Sequence, residues 1–181
     1  MKAYNELQSK EREINDLYCT NPIAVQMLLK EEEFNFNVWE CCNGLGHISK
    51  ELEKNGYNVR KSDIINYTNE KDIEIIDILK CDKPFDGDIV TNPPYKYATE
   101  MAYKFYELSN KFAIYVNLSF LTSQRRKELF EKIPPKTIYI MSKRIHCAKG
   151  GDFEKFNNGA IDYCWIVWDK SYKGETIVKW L

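Results

Sequence analysis

The chain has 181 residues, of which 44% are hydrophobic and 29% are charged, and its net charge is −1. Its length fits one domain over residues 1–181, and no apolar run approaches the roughly 20 residues that span a bilayer. Residues 1–16 are polar and charged, so we expect no secretory signal, no membrane partner and a cytoplasmic location.

Short apolar segments that favour strands alternate with segments that favour helices. This alternation predicts an α/β protein with a Rossmann-like, mostly parallel, doubly wound sheet, preceded by a helical flank over residues 1–37. Asn21 and Pro22 are suited to begin the helix of that flank. The predicted strands are 38–42, 58–63, 72–78, 88–91, 112–118, 137–141, 163–168 and 176–180, and the predicted helices are 22–30, 48–54, 98–110 and 123–132.

The alternation stops near the end of the chain. Residues 142–160 are polar, basic and glycine-containing, which predicts a long loop, and long loops in compact domains are often functional. The strands on either side, 137–141 and 163–168, are therefore expected to pair as an antiparallel hairpin. The loop is a candidate region for substrate contact.

The cysteines and histidines do not indicate a metal site. None of the six cysteines forms a CxxC pair, and His47 and His146 are far apart in the sequence. Several cysteines, such as Cys164, lie in apolar segments. We expect reduced, buried thiols and no bound metal.

Basic residues are concentrated in one part of the chain. Residues 120–150 carry eight basic and two acidic side chains, among them Arg125, Arg126, Lys127 and Arg144. A local basic segment can contact phosphates even when the whole molecule is nearly neutral. A solvated helix face and loop would show the same composition, so both interpretations stay open.

A glycine-containing turn follows the first predicted strand. It reads Glu40-Cys41-Cys42-Asn43-Gly44-Leu45-Gly46 and leads into a helix. Glycines let a backbone approach a ligand closely, and the amides at a helix start favour negative charge. An ordinary tight turn would use Gly44 and Gly46 in the same way.

Two acidic residues follow at spacings that suit a nucleotide-like ligand. Asp63 ends the next strand about twenty residues on, where Rossmann-like folds place an acid that binds ribose hydroxyls. Asp77 lies in an apolar segment, where a carboxylate needs a donor such as a ligand amine or a backbone amide. Taken alone, Asp63 could equally cap a helix or lie at the surface.

The most specific pattern is Asn92-Pro93-Pro94-Tyr95, directly after the apolar strand 88–91. Proline fixes φ and has no amide hydrogen, so the Pro93 carbonyl can accept from an amine beside the Asn92 side-chain oxygen. Two acceptors on one NH₂ group orient the nitrogen lone pair, and Tyr95 offers a flat face for a base. The alternative is a plain proline turn at the end of a strand.

These motifs resemble the signature of class I S-adenosylmethionine-dependent amino-group methyltransferases, in particular compact phage-type adenine-N6 DNA methyltransferases. The resemblance covers nearly the whole chain, including Thr20-Asn21-Pro22 and the late strand around Trp165. The family often has Pro-Cys-Ala-Gly where this chain has Cys41-Cys42-Asn43-Gly44. No distinct target-recognition domain is visible.

The resemblance implies a role for each motif. The cofactor S-adenosylmethionine would be bound by Thr20, Glu40, Gly44, Gly46, Asp63, Asp77 and Asn92. Catalysis would rest on Asn92, Pro93, Pro94 and Tyr95, by direct in-line transfer without a covalent nucleophile. The substrate would be contacted by Tyr95, Lys96, Arg125, Arg126, Lys127, Arg144 and Phe153.

The expected substrate is the exocyclic amine of adenine in DNA, with RNA as a possible partner. Duplex DNA would have to flip its base to reach Tyr95. Methylation of a protein glutamine is an alternative, because an amide nitrogen could bind the same two acceptors, the Asn92 side-chain oxygen and the Pro93 carbonyl (the Asn92-Pro93 cradle). A second alternative is a catalytically silent module that binds DNA or a partner. For Phe153, the alternative to substrate contact is burial under the 142–160 loop. The oligomeric state cannot be deduced from these patterns.

Overall fold

A computed structural model describes residues 17–143, 145–154 and 161–181. The predicted helical flank is therefore described only from residue 17. Arg144 and the later part of the 142–160 loop lie outside the described residues. No helix in the described ranges is both long and apolar enough to cross a membrane.

Ten strands and four α-helices make up the described fold. The helices are α1 (Pro22–Glu31), α2 (His47–Lys54), α3 (Ala98–Leu108) and α4 (Gln124–Lys132). The strands are β1 (Tyr18–Cys19), β2 (Asn37–Glu40), β3 (Asn58–Asp63), β4 (Ile73–Ile75), β5 (Asp88–Thr91), β6 (Lys111–Asn117), β7 (Thr137–Ile140), β8 (Ala148–Lys149), β9 (Tyr163–Asp169) and β10 (Ile177–Trp180).

Eight strands form one sheet in the order β10-β7-β9-β6-β5-β2-β3-β4. Only β9 runs antiparallel to its neighbours β6 and β7, and all other pairs in this sheet are parallel. The predicted mostly parallel sheet and the antiparallel pairing of the two strands around the long loop are confirmed. The additional finding is that β9 inserts between β6 and β7.

The two faces of the sheet carry separate cores, as the alternation of side chains along the strands requires. On β6, Phe112, Ile114 and Val116 pack against α3 and α4, whereas Ala113 and Tyr115 pack against α1 and α2. Helices on both faces give the three-layer arrangement expected of a doubly wound fold.

One predicted strand differs in extent from the structure. The strand predicted at 72–78 is only Ile73–Ile75, and a short 3₁₀ helix follows at Ile78–Lys80. Asp77 caps that helix by accepting from the Leu79 amide at 3.2 Å, so it is not inside a strand. Ser123, a residue type that often caps helices, precedes α4, but its side chain makes no capping hydrogen bond.

A separate two-stranded sheet joins distant parts of the chain. β1 and β8 pair antiparallel, with Tyr18 opposite Lys149 and Cys19 opposite Ala148. The Gly150 amide extends the pairing by donating to the Leu17 carbonyl at 3.1 Å. The long loop is therefore attached, at its described part, to the segment that precedes α1.

Candidate functional site

The candidate site lies at the carboxyl ends of β2 and β5, the two central strands of the parallel region. The chain leaves β2 towards β3 on one side, while β5 pairs with β2 on the other. Ligands of open α/β sheets bind in the crevice outside the strand ends at such a switch in strand order. Glu40 ends β2 and Asn92 directly follows β5, so the fold brings the two predicted motifs together.

The glycine turn between β2 and α2 has the conformation for which glycine is suited. Gly44 has φ of 51° and Gly46 has φ of 78°, and Gly46 caps the start of α2. Side chains with a Cβ rarely adopt such angles. The Gly46 amide closes the turn by donating to the Asn43 carbonyl at 2.7 Å.

Asp63, at the end of β3, is tied to this turn. Its Oδ2 accepts from the Gly44 amide at 2.8 Å, and its Oδ1 accepts from the Ile64 amide at 2.7 Å. Burial raises the pKa of this carboxyl above its usual range, against the lowering effect of the backbone hydrogen bonds. Asp63 thus ends β3 as predicted, and its carboxylate oxygens retain further lone pairs for a ligand hydroxyl. Its role in binding ribose stays a prediction.

Glu40 is fully buried, and only one of its carboxylate oxygens is paired. Its Oε1 accepts from the Cys42 amide at 3.0 Å and from the Thr91 hydroxyl at 2.5 Å. Burial raises the pKa of Glu40 to about 8 despite these bonds. Its Oε2 has no partner, so the carboxyl could accept from a cationic ligand group.

Unpaired buried polar atoms are concentrated around the site. Leaving such an atom unpaired costs roughly 1–3 kcal/mol, so most find partners. Among the described residues, the unpaired atoms at the site belong to the glycine turn, to the Asn92–Tyr95 motif and to the segment that precedes α1. This pattern fits a bound ligand rich in polar groups, and S-adenosylmethionine is one. The atoms are Thr20 Oγ1, Glu40 Oε2, Asn43 Nδ2, His47 Nδ1 and Tyr95 Oη at the site, with His146 Nδ1 in the long loop.

Asp77 is less firmly linked to this cluster. Besides the Leu79 amide it pairs with Lys80 at 3.0 Å, so its carboxylate has protein partners on the surface. It lies beyond the end of β4, two strands away from β2 in the sheet. A role in binding the cofactor's adenine amine stays a prediction.

The side chain of Asn92 is held by the segment that precedes α1. Its Nδ2 donates to the Tyr18 carbonyl at 3.0 Å and to Cys147 Sγ at 3.7 Å. Pro93 is buried at the end of β5, and the Pro94 carbonyl accepts from the Tyr97 amide at 2.9 Å. This turn places Asn92 next to Thr91, whose hydroxyl contacts Glu40.

Tyr95 packs into the site rather than standing free. Its ring lies against that of Tyr18, with centroids 6.4 Å apart and an interplanar angle of 25°. Burial raises the pKa of its hydroxyl far above the usual range, with Cys147 and Tyr163 nearby. Lys96, the next residue, is exposed, and its ammonium lies over the Tyr97 ring at 5.0 Å.

The long loop contacts the residue that follows the glycine turn, His47. The Phe153 ring meets His47 edge-on at 5.2 Å, and a Cβ on Gly151 would come within 2.9 Å of His47 Cε1. Burial and the nearby Lys50 lower the pKa of His47, which favours the neutral ring. Phe153 is therefore half-buried against the start of α2, which agrees with the alternative that it packs under the loop. None of its contacts among the described residues is with Asn92.

The basic residues at the start of α4 already have partners within the chain. Arg125 pairs with Glu100 at 2.9 Å and Lys127 with Glu131 at 3.4 Å, both pairs being exposed. Arg126 stacks on Phe120 at 4.3 Å and donates to the Ser119 and Phe120 carbonyls, just after β6. Exposed pairs are weak and can be exchanged for phosphate contacts, whereas Arg126 serves to pack the start of α4.

Sequence reasoning missed several residues that shape the site. Tyr18, Thr91 and His47 lie within or beside the motif segments but were assigned no role, and a backbone carbonyl such as that of Tyr18 leaves no mark in a sequence. Asn43 did carry a signal, because it stands where the resembling family often has alanine. Its Oδ1 accepts from the Ser49 hydroxyl at 2.7 Å, which fixes the turn to α2.

The comparisons with known proteins concern the fold. No family model matches the sequence, and no curated protein matches it significantly. Among solved structures, a protein from Lactococcus lactis described as an inferred hemolysin has a TM-score of 0.63 at 11% identity, over 91% of this chain and 94% of that one. The 23S rRNA methyltransferase ErmE has a TM-score of 0.54 at 13% identity, over 87% and 72% of the two chains.

A third similar structure is a TehB-like SAM-dependent methyltransferase from Corynebacterium glutamicum, with a TM-score of 0.53 at 13% identity. It is matched over 94% of this chain and 100% of its own. The chain therefore has the α/β fold of class I methyltransferases. A fold likeness at this identity transfers no activity, as the different names of the three proteins illustrate.

Proposed function

We propose that this chain is an S-adenosylmethionine-dependent methyltransferase acting on the exocyclic N6 amine of adenine in nucleic acid, with DNA as the first substrate to test. The observation that carries the proposal is the contact between the Thr91 hydroxyl and Glu40. It joins the Asn92-Pro93 cradle to the glycine turn, as the transfer of a group from cofactor to amine requires.

The cofactor would be held by the residues at the glycine turn and the neighbouring strand ends. Glu40, Thr20 and Asn43 offer polar atoms that lack partners, and Asp63 offers acceptors for hydroxyls. Gly44 and Gly46 keep the backbone free of side chains along the turn. When bound, S-adenosylmethionine supplies a methyl group on an electrophilic sulfonium.

The chain's own contribution is to hold and polarise the target amine. The Asn92 oxygen and the Pro93 carbonyl accept its two hydrogens, which directs the nitrogen lone pair and stabilises the positive charge that develops there. No protein nucleophile is required. Cys147, close to Asn92, has its pKa raised to about 12 by burial and stays a thiol at neutral pH.

RNA is the second candidate substrate. The fold likeness to ErmE, a 23S rRNA methyltransferase, favours it. The cradle itself recognises an amine on a planar ring and does not depend on the sugar. Basic side chains near α4, such as Arg125 and Lys127, could contact the phosphates of either nucleic acid.

One experiment separates these possibilities. The purified protein is incubated with methyl-labelled S-adenosylmethionine and, in parallel, with DNA, RNA or a protein extract, and the products are digested and analysed by mass spectrometry. We expect labelled N6-methyladenine, in DNA or in RNA, and none with Asn92→Ala. Label in cytosine or glutamine, or no label in any substrate, would contradict the proposal.

A further inference from the structure

Asn43 has an unusual environment for a residue in a glycine turn. The residue is buried, with an exposed fraction of 5%. Its Oδ1 accepts from the Ser49 hydroxyl, and its backbone amide donates to the Ser62 carbonyl at 3.1 Å. The side-chain nitrogen, by contrast, has no hydrogen-bond partner. The residue is thus fixed on two sides while a strong donor is left unpaired.

The unpaired donor has a chemical complement three residues earlier. Glu40 Oε2 is a buried acceptor without a partner in the same turn. An unpaired acceptor can bind an ammonium, and an unpaired donor can bind a carboxylate. An amino acid carries both of these groups on one carbon, so its zwitterionic end is a ligand that would satisfy Glu40 and Asn43 together.

The helix that follows favours the same assignment. Ser49, which holds Asn43, lies in the first turn of α2, and the start of an α-helix attracts negative charge. No acidic residue occupies that first turn. A ligand carboxylate placed by Asn43 would therefore meet a favourable potential.

We infer that Asn43 Nδ2 binds the carboxylate of the cofactor's amino-acid end while Glu40 Oε2 accepts from its ammonium. This inference rests on the proposed function, because it assumes a cofactor that carries an amino acid. It assigns a binding role to the residue by which the chain departs from the family pattern. It also makes Asn43 a determinant of discrimination between the complete cofactor and nucleosides that lack the amino acid.

The test compares two ligands by calorimetry. S-adenosylhomocysteine carries the amino-acid end, and 5′-methylthioadenosine has the same nucleoside and sulfur without it. With Asn43→Ala we expect affinity for S-adenosylhomocysteine to fall about tenfold and affinity for 5′-methylthioadenosine to change less than twofold. Asn43→Asp should weaken S-adenosylhomocysteine further, because it places like charges together.

Matched controls keep the outcomes distinct. Asn55→Ala removes the same side chain at the other end of α2, where it donates to the Glu51 carbonyl, and should leave both affinities unchanged. Thermal melting verifies that each variant is folded. Equal losses for both ligands in Asn43→Ala, or wild-type affinity in Asn43→Asp, would overturn the inference alone. A wild-type protein that binds neither ligand would overturn the proposed function as well.

Discussion

The Asn92 side-chain nitrogen donates to the Tyr18 carbonyl across 3.0 Å, and 74 positions separate the two residues in the sequence. This bond fixes which end of the carboxamide faces the protein. The nitrogen is turned to β1, which leaves the oxygen as the end that can accept from a target amine. β1 therefore orients the residue on which the proposed chemistry depends.

Replacing Asn92 by alanine should abolish methyl transfer, because the amine loses its side-chain acceptor. We expect single-turnover rates to fall by at least about a hundredfold, in line with the loss of one positioned polar contact. Cofactor affinity should stay within a few-fold. The matched control is Asn58→Ala, at the amino end of β3, where the side chain bonds only Asn37 among the described residues. Near wild-type turnover in Asn92→Ala would remove Asn92 from the mechanism.

Binding of the cofactor should release a proton from Glu40. Burial holds the pKa of this carboxyl at about 8, so it is mostly protonated at pH 7, and a bound ammonium favours its ionised form. We expect calorimetry at pH 7 in buffers of different ionisation enthalpy to show release of up to about one proton. The Glu40→Gln variant should release fewer protons than the wild type, by up to about one, since any contribution of the cofactor's own amine is common to both proteins. Equal proton release by the two would contradict the assignment of Oε2.

The free energy of unfolding should depend on Glu32. This buried carboxylate accepts from Lys111 at 2.7 Å, Lys136 at 3.0 Å and the Tyr139 hydroxyl at 2.8 Å. Burial alone would raise its pKa, but these bonds outweigh burial and lower it. Glu32→Gln should lower stability at pH 7 by roughly 2 kcal/mol, because it leaves two partly buried ammonium groups poorly paired.

The same shift sets the pH dependence of the Glu32 contribution. Because the folded-state pKa lies below the unfolded value, near 4.5, the contribution is fully present above that pH and is lost as pH falls through the folded value. Urea unfolding at pH 7 and at pH 3 should therefore show the difference between wild type and Glu32→Gln shrinking in acid. A difference that is constant with pH would indicate a packing effect instead.

The basic residues of α4 should separate into two classes. Charge reversal of Arg125 and Lys127 together should weaken nucleic-acid binding and flatten its dependence on salt, because fewer counterions are released. Arg126→Ala should mainly lower the melting temperature, since this guanidinium packs on Phe120. Fluorescence anisotropy across a salt series measures the first effect. Unchanged affinity in the double variant would place the phosphate contacts elsewhere.

Local patterns were sufficient to predict the mostly parallel sheet and the positions of the glycine turn and the Asn92 segment at strand ends. The glycine turn and the Asn92 segment each follow an apolar strand, and the parallel arrangement then places both at one edge. The extent of β4 was predicted wrongly because the apolar run around Asp77 continues past the point where pairing with β3 ends. At that point the aspartate caps a 3₁₀ helix instead.

Long-range contacts account for what sequence reasoning did not find. The pairing of β1 with β8 involves two residues on each side, too few to produce a periodic pattern. The stacking of Arg126 on Phe120 could not be distinguished in the sequence from a cation exposed to phosphate. Both depend on how elements pack after the sheet has formed, not on local propensity.

The β1–β8 pairing also affects the order in which the protein can be assembled during synthesis. Strands β2, β3, β5 and β6 all precede residue 118, so they leave the ribosome before the residues of β8 do. Tyr18 meets its partner strand only after residue 149 has emerged. Both cores also contain residues of β9, such as Trp165 and Ile166, so the strand that holds β1 beside Asn92 is made before either core is complete.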